Sequence, residues 1–383
     1  MMKILHVSKY YAPFQGGTEQ IARECVHALA GQSEQRVICF QHSGGDQMDV
    51  VDGVPVVRCG CQAKIRSQSL SWSYGRQLKK LMDDFAPEVV IFHYPNPFAA
   101  HFLLRSLPAG AKLVIYWHLD IVKQKFLRRF FSRQNRILLQ RACRVITTSR
   151  SYAQGSPWLG QAQDKCRVIS NCIDAQRLMI TEAVRARAET IRQQHPGKII
   201  CLTVGRHSEY KGLSYLIRAG KLLDDRFQFI ITGQGEQTRQ LRREAGGDAR
   251  FLFTGLLDDD QLKAYLAAAD IFCFPSITRN ESFGVALAEA MYFGLPAVTF
   301  TIPGSGVNEV CPNGVTGLEV PNRDVQAYAR AMQTLAEDEA LRHRLGKAGR
   351  SRVKEHYMND RFRQSIITLM EELGRGDGRA GGM

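Results

Sequence analysis

Two glutamates eight residues apart, Glu281 and Glu289, bracket a Phe-Gly step in the stretch Glu281-Ser-Phe-Gly-Val-Ala-Leu-Ala-Glu289. It directly follows the run Phe272-Cys-Phe-Pro-Ser-Ile-Thr-Arg-Asn280, which opens as an apolar strand. Read as a strand passing into a helix, the pattern leaves free backbone N–H groups and a positive dipole end at Phe283 and Gly284, which suits a phosphate. Eight helical residues rise about 12 Å, comparable with the span from a hexose across a diphosphate to a ribose. One acid would then meet the sugar and the other the ribose hydroxyls. Taken alone, the same residues also describe a helix with a capping acid and a solvated glutamate.

A second group supplies cations. In Val204-Gly-Arg206-His-Ser-Glu-Tyr-Lys211-Gly212, Arg206 and Lys211 leave the end of an apolar strand with glycines on either side. Two fixed cations there can hold a diphosphate and neutralise its charge as it departs; singly, such a pair is surface charge. Ile231-Thr-Gly233-Gln-Gly235 ends the next strand, either to admit a flat base or ribose or as a plain turn. The acids near Asp258 read as helix caps.

In the first half, Tyr11-Ala-Pro-Phe-Gln-Gly16-Gly17-Thr18-Glu19 joins a strand to a helix. Paired glycines let the backbone approach a ligand, and Thr18 is placed to cap the helix. This is not the Gly-x-Gly-x-x-Gly dinucleotide fingerprint, which disfavours a hydride-transferring enzyme, and no Gly-x4-Gly-Lys-Ser/Thr motif supports P-loop chemistry. Tyr116-Trp117-His118-Leu119-Asp120 presents an imidazole and a carboxylate at another strand end. Either can orient a sugar hydroxyl or move a proton, although a lone histidine there is often structural.

The elements that must position these groups alternate from end to end. Candidate strands are Lys3–Ser8, Arg36–Phe40, Val54–Cys59, Glu88–His93, Leu113–His118 and Arg144–Thr148, then Lys198–Val204, Phe227–Thr232, Arg250–Thr254, Ile271–Pro275 and Ala297–Phe300. Helical patterns between them include Thr18–Ala30, Asp259–Ala268 and Ser282–Phe293. Alternation of this kind predicts α/β architecture with parallel sheets: two doubly wound, Rossmann-like domains enclosing a cleft at the carboxyl ends of their strands. The expected division is 1–171, 172–356, a last helix over 357–373 and a Gly-rich disordered tail over 374–383. The polar, helix-prone stretch up to Gly197 reads as a connection rather than core.

A chain of 383 residues with 44% hydrophobic content is long enough for two cored domains. No apolar run is long enough for a transmembrane helix, and the first residues lack a signal-peptide layout, so a cytoplasmic protein is expected. The ten cysteines are scattered and read as buried reduced thiols, with no zinc-site spacing. The net charge of +14 is uneven. From Lys123 to Arg144 come Lys123, Lys125, Arg128, Arg129, Arg133, Arg136, Arg141 and Arg144, with no acid and with apolar residues interleaved. Such a helix can lie on an anionic membrane surface or can be an ordinary surface helix. No nucleic-acid-binding signature accompanies the charge, so nucleic acid is not an expected partner.

Together the Gly16-Gly17 loop, His118, the Gly-Arg-x4-Lys-Gly pattern of Arg206 and Lys211, Pro275-Ser276 and the Glu-x7-Glu acids resemble the retaining glycosyltransferases of family 4, which have the GT-B fold. The resemblance covers nearly the whole chain; Ser170-Asn171-Cys172-Ile173-Asp174 departs from the family's Pro-Asn-Gly-Val-Asp linker. It implies that Glu289 holds the ribose, that Glu281 with the backbone of Phe283 and Gly284 holds the donor sugar, and that Arg206 and Lys211 grip the diphosphate with help from Gly16 and Gly17. It also implies that His118 sits near the reacting sugar, that the last helix returns to the first domain, and that no metal or other cofactor is required. The residues from His118 to Lys125 look like those of bacterial mannosyl- and related hexosyltransferases of lipid-linked surface polysaccharide assembly, such as O-antigen. This implies GDP-mannose or a UDP-hexose as donor, a polyprenyl-diphosphate-linked saccharide as acceptor, and a peripheral site at the inner face of the cell membrane. Rival readings are a UDP-sugar 2-epimerase, which lacks the Glu-x7-Glu pattern, and a non-catalytic membrane scaffold, which has no reason to keep all four charged residues.

Overall fold

The computed structural model describes residues 1–14, 16–42, 44–65, 68–121 and 128–375. The chain divides into two compact units, one of residues 1–171 with 360–383 and the other of residues 172–359.

The first unit runs β1 (Met2–Val7), α1 (Gly17–Ala28), β2 (Ser33–Phe40), β3 (Gln47–Val51), β4 (Val54–Cys59), β5 (Ala63–Ile65), β6 (Gln68–Leu70), α2 (Tyr74–Phe85), β7 (Val89–Tyr94), α3 (Pro97–Ser106), β8 (Lys112–Trp117), α4 (Arg128–Arg141), β9 (Ala142–Thr147), α5 (Arg150–Gly155) and β10 (Cys166–Val168). Its main sheet has the order β10-β9-β8-β7-β1-β2-β4-β3, parallel except for the edge pair β3–β4. The central strands are buried on both faces, which is why they read as unbroken runs such as Val-Val-Ile-Phe-His-Tyr in β7.

The second unit runs α6 (Glu182–Gln194), β11 (Ile199–Val204), α7 (Leu213–Gly220), β12 (Phe227–Thr232), α8 (Thr238–Ala245), β13 (Phe251–Gly255), α9 (Asp259–Ala268), β14 (Ile271–Phe274), α10 (Val285–Tyr292), β15 (Ala297–Phe300), α11 (Val307–Val310), β16 (Gly317–Val320), α12 (Val325–Glu337) and α13 (Glu339–His356). Its sheet is wholly parallel, in the order β13-β12-β11-β14-β15-β16. The chain winds outward from β11 to β13, then returns past β11 to lay down β14. The carboxyl ends of β11 and β14 therefore flank a topological switch point, where open α/β sheets bind ligands.

Several expectations need correction. The stretch before Gly197 is not a mere connection. Val184, Ala188 and Ile191, at i, i+4 and i+7 of α6, are buried in the second unit's core, with Ile173 and Leu178 ahead of them. The last helix, α14 (Asn359–Arg375), places Phe362, Ile366, Leu369, Met370 and Leu373 in buried positions. It joins the first unit through Arg363 to Glu24 at 3.0 Å and Lys112 to the Leu373 carbonyl at 2.6 Å. The boundary lies after Asn359 rather than before Tyr357, because Ile173 N–H donates to the Tyr357 carbonyl within the second unit. Gly374 and Arg375 are helical, not part of a disordered tail; 376–383 lie outside the described residues. The short strands β3, β5, β6, β10 and β16 were not expected.

Candidate active site

Arg206 and Lys211 follow β11, and Ser276 and Glu281 follow β14, so the switch point brings the predicted cations and one acid together. A recess there is lined by Thr203, Gly205, Arg206, Lys211, Phe274 and Ser276. The two loops touch: Ile277 N–H donates to the Tyr210 carbonyl at 2.9 Å. Gly212 sits at φ 64°, and a Cβ there would lie 2.1 Å from the Pro275 carbonyl oxygen, so only glycine lets them meet.

Lys211 and Glu281 form an ion pair, both largely buried, and Ser276 Oγ donates to the same carboxylate at 3.2 Å. The Lys211 ammonium also lies 5.0 Å from the centre of the Phe274 ring. Burial works against its charge, but Glu281 and Tyr210 more than offset this, and its pKa stands above the ordinary lysine value; Arg206 opposes the rise. Arg206 itself is exposed. Lys211 is thus a fixed, desolvated cation with an exposed cation close by.

The path from Glu281 to Glu289 differs from the expected helix. Gly284, at φ 91°, is the N-cap, and α10 begins only at Val285, without a capping side chain. Glu281 stands in the turn before it, where its N–H donates to the Thr278 carbonyl and its backbone carbonyl accepts from Ser305 Oγ. Eight helical residues therefore do not separate the two acids, and the 12 Å rise does not apply. Phe283 is buried edge-on to Tyr357, so only its backbone is available to a ligand.

Glu289 lies within α10 and is 6% exposed. Burial pushes its carboxyl above the ordinary range; an ion pair with Arg177 opposes this and Asp259 adds to it. Arg177 also reaches Asp259 at 3.0 Å. Sequence reading missed Arg177, because its partners are 112 and 82 residues further on. Gly233, at φ 98°, follows β12; a Cβ there would lie 2.1 Å from the Gly205 carbonyl oxygen, so its first task is to let two loops approach. Asp258 caps α9 through a reciprocal pair with Gln261.

In the first unit, Gly16 is the N-cap of α1 in extended backbone, and Gly17 is its first residue. Thr18 is therefore inside the helix and does not cap it. His118 follows β8 and is 4% exposed. Its Nε2 meets His93 Nδ1 at 3.1 Å, and its ring stacks 4.3 Å from Tyr116 and 5.3 Å from His93. Burial drives its pKa down to about 3, so the ring is neutral at physiological pH. His93, which lies well below the ordinary value for the same reason, and His6, lowered to about 4, continue the row across β7 and β1. Neither was anticipated. Asp120 is already committed within the first unit, accepting from Trp117 Nε1 and from Ser156 Oγ after α5, each at 2.9 Å.

Of the basic segment, Lys123 and Lys125 fall outside the described residues. Arg128 and Arg129 begin α4; Arg133 and Arg136 on it are exposed, while Leu138 and Leu139 are buried. Among the described residues no helix is long and apolar enough to cross a membrane, and no group of three His, Cys, Asp or Glu is placed to hold a metal.

Residues 16–172 match the family model of the glycosyl transferase 4-like domain, and residues 187–352 that of the glycosyl transferases group 1. The chain is 29% identical over 378 residues to the O-antigen chain mannosyltransferase C of Escherichia coli, covering 97% of this chain and 99% of that protein. It is 28% identical over 360 residues to the D-rhamnosyltransferase WbpZ of Pseudomonas aeruginosa, covering 92% of each. Among solved structures it is similar to sucrose-phosphate synthase from Thermosynechococcus elongatus, with a TM-score of 0.81 at 21% identity over 98% of this chain and 100% of that one. With two family domains in order, two parallel α/β units and GT-B neighbours over the full length, this chain belongs to the GT-B glycosyltransferases of family 4.

Proposed function

We propose that this protein transfers mannose from GDP-mannose, with retention at the anomeric carbon, onto a lipid-linked saccharide in surface polysaccharide assembly. The observation that carries the reading is the switch-point cluster of the second unit, a desolvated Lys211 held on Glu281 with Arg206 beside it; Glu289, buried on α10 and paired with Arg177, supplies the second acid. Kinship over nearly the whole length with an O-antigen chain mannosyltransferase supports the sugar and the acceptor class.

Each group then has a task set by its chemistry. Lys211 and Arg206 hold the diphosphate and stabilise the charge that gathers on it as the glycosidic bond breaks. Because two cations, one of them fixed and desolvated, do this, no divalent metal is needed. Glu281 accepts from the donor sugar's hydroxyls and keeps Lys211 charged. Glu289 accepts from the ribose hydroxyls. His118, neutral and fixed by His93, offers a hydrogen bond to the sugar, the role the family resemblance implies for it. The acceptor hydroxyl attacks the anomeric carbon on the face that the diphosphate leaves. The carbon–oxygen bond to the diphosphate breaks as the new one forms, and the acceptor proton passes to the departing diphosphate oxygen. Asp120, already engaged by Trp117 and Ser156, is a poor covalent nucleophile.

The test is transfer to a polyprenyl-diphosphate-linked saccharide in EDTA, with GDP-mannose and UDP-hexoses compared and product stereochemistry read by NMR. Retained configuration with GDP-mannose as preferred donor fits. A UDP-hexose preference corrects the donor alone, inversion discards the front-face mechanism, and loss of turnover in EDTA discards metal independence.

A further inference from the structure

Arg177 belongs to none of the motifs that identify the site, yet it holds the acid assigned to the ribose. Its guanidinium is forked, with Nη2 on Glu289 and Nη1 on Asp259 at 3.0 Å. The backbone beneath it is pinned. Ile173 N–H donates to the Tyr357 carbonyl, Gln176 N–H donates to Asp174 Oδ1 at 2.9 Å, and Leu178 is fully buried in the core. The fork therefore starts from a fixed point, one condition for orienting a second side chain closely.

What it orients is a carboxylate with spare capacity. A carboxylate offers about four lone-pair directions, and one guanidinium N–H takes one of them. The rest can accept from a vicinal diol. A buried glutamate without a cation would be penalised for its charge, and in protonated form it would lose acceptor capacity. Arg177 Nε is buried and has no hydrogen-bond partner among the described residues.

We propose that Arg177 is the positioning residue for nucleotide ribose recognition: it holds Glu289 in the orientation that accepts both the 2′- and 3′-hydroxyls of a nucleoside diphosphate. The inference rests on the reading of Glu289 as the ribose acid. It assigns Arg177 an effect only on ligands that carry those hydroxyls.

The experiment measures calorimetric affinity of the full-length protein, its Glu289→Ala and Arg177→Gln variants for GDP and UDP and for their 2′,3′-dideoxy forms. Wild type should prefer the ribonucleotide at least tenfold, and Glu289→Ala should erase that preference. Arg177→Gln should weaken the ribonucleotide about tenfold to hundredfold, the range for a hydrogen bond to a charged group, and leave the dideoxy affinity within about twofold. If wild type shows no preference, or Glu289→Ala retains it, the ribose reading fails and the inference with it. If Glu289→Ala erases the preference but Arg177→Gln keeps it, only the role of Arg177 is overturned. That role is equally overturned if Arg177→Gln weakens both forms equally, as a brace would, or tightens the ribonucleotide, as a displaced latch would. Asp259→Asn, which cuts the other arm of the fork, should leave the preference in place. Should Arg177→Gln not fold, Arg177→Lys substitutes for it, since a single ammonium lacks the planar fork and should lose the preference in part; full retention would count against the proposal.

Discussion

Both units set candidate residues just past the carboxyl ends of parallel strands, but they handle buried polar groups in opposite ways. In the second unit the polar groups are ions held in pairs: Lys211 with Glu281, and Arg177 with Glu289 and Asp259. In the first unit they are neutral rings in a row, His6, His93, Tyr116 and His118, with imidazole pKa values pushed down by burial. A buried charge is tolerated when paired, and a buried imidazole when it gives up its proton. The difference matches the roles proposed above: a diphosphate needs cations present before it arrives, whereas saccharide hydroxyls need only hydrogen bonds.

Removing charge from the second unit should have the largest effect. Lys211→Gln leaves Glu281 buried and unpaired, so turnover should fall about 1,000-fold and stability by about 3–5 kcal/mol. Arg206→Ala, at an exposed position, should cost about 100-fold in turnover with an unchanged melting temperature. Equal loss of stability in both would erase the distinction between the desolvated and the solvated cation; steady-state kinetics with calorimetric melting decides it.

In the first unit, His118→Ala should lower turnover about 100-fold and leave nucleoside diphosphate affinity within about twofold. A matching loss of nucleotide affinity would put His118 on the charged side of the comparison.

The neutral row should also show in acid. Its histidines titrate near pH 6.5 when unfolded but only at about 4 or lower in His6 and His118 when folded. The unfolded chain thus binds more protons in that window, and stability is present above pH 6.5 and lost as pH falls toward 4. At pH 5 the loss is about 2 kcal/mol per histidine, and His6→Gln should flatten the slope by one proton. A slope unchanged in that variant would mean that His6 is not buried neutral.

The smallest effect belongs to the surface. Neutralising Arg133 and Arg136 to glutamine should weaken pelleting with anionic vesicles by roughly fivefold per site, without changing turnover on a water-soluble acceptor. Unchanged pelleting removes the membrane role of α4.

Much of this was legible because the signals were local. Strands buried on both faces are unbroken apolar runs, and the cations and acids lie a few residues past them. The turn at Gly284 was harder to see, since a helical period continues through Ser282–Phe283 until the positive φ is known. That α6 packs into the core was hidden by its charge; the sign of it is the i, i+4, i+7 spacing of Val184, Ala188 and Ile191. Arg177 and His93 left no local mark, because what they touch is brought to them by the sheet: Glu289 across 112 residues and His118 from the neighbouring strand.

The central claim is that the charged cluster of the second unit binds a nucleotide sugar without metal. Its most direct test is calorimetric titration of the purified protein, in EDTA, with GDP-mannose and several UDP-hexoses. Micromolar binding of one donor, lost in Arg206→Ala, is the predicted result. Binding that survives Arg206→Ala, or no binding by any of these donors, would contradict it.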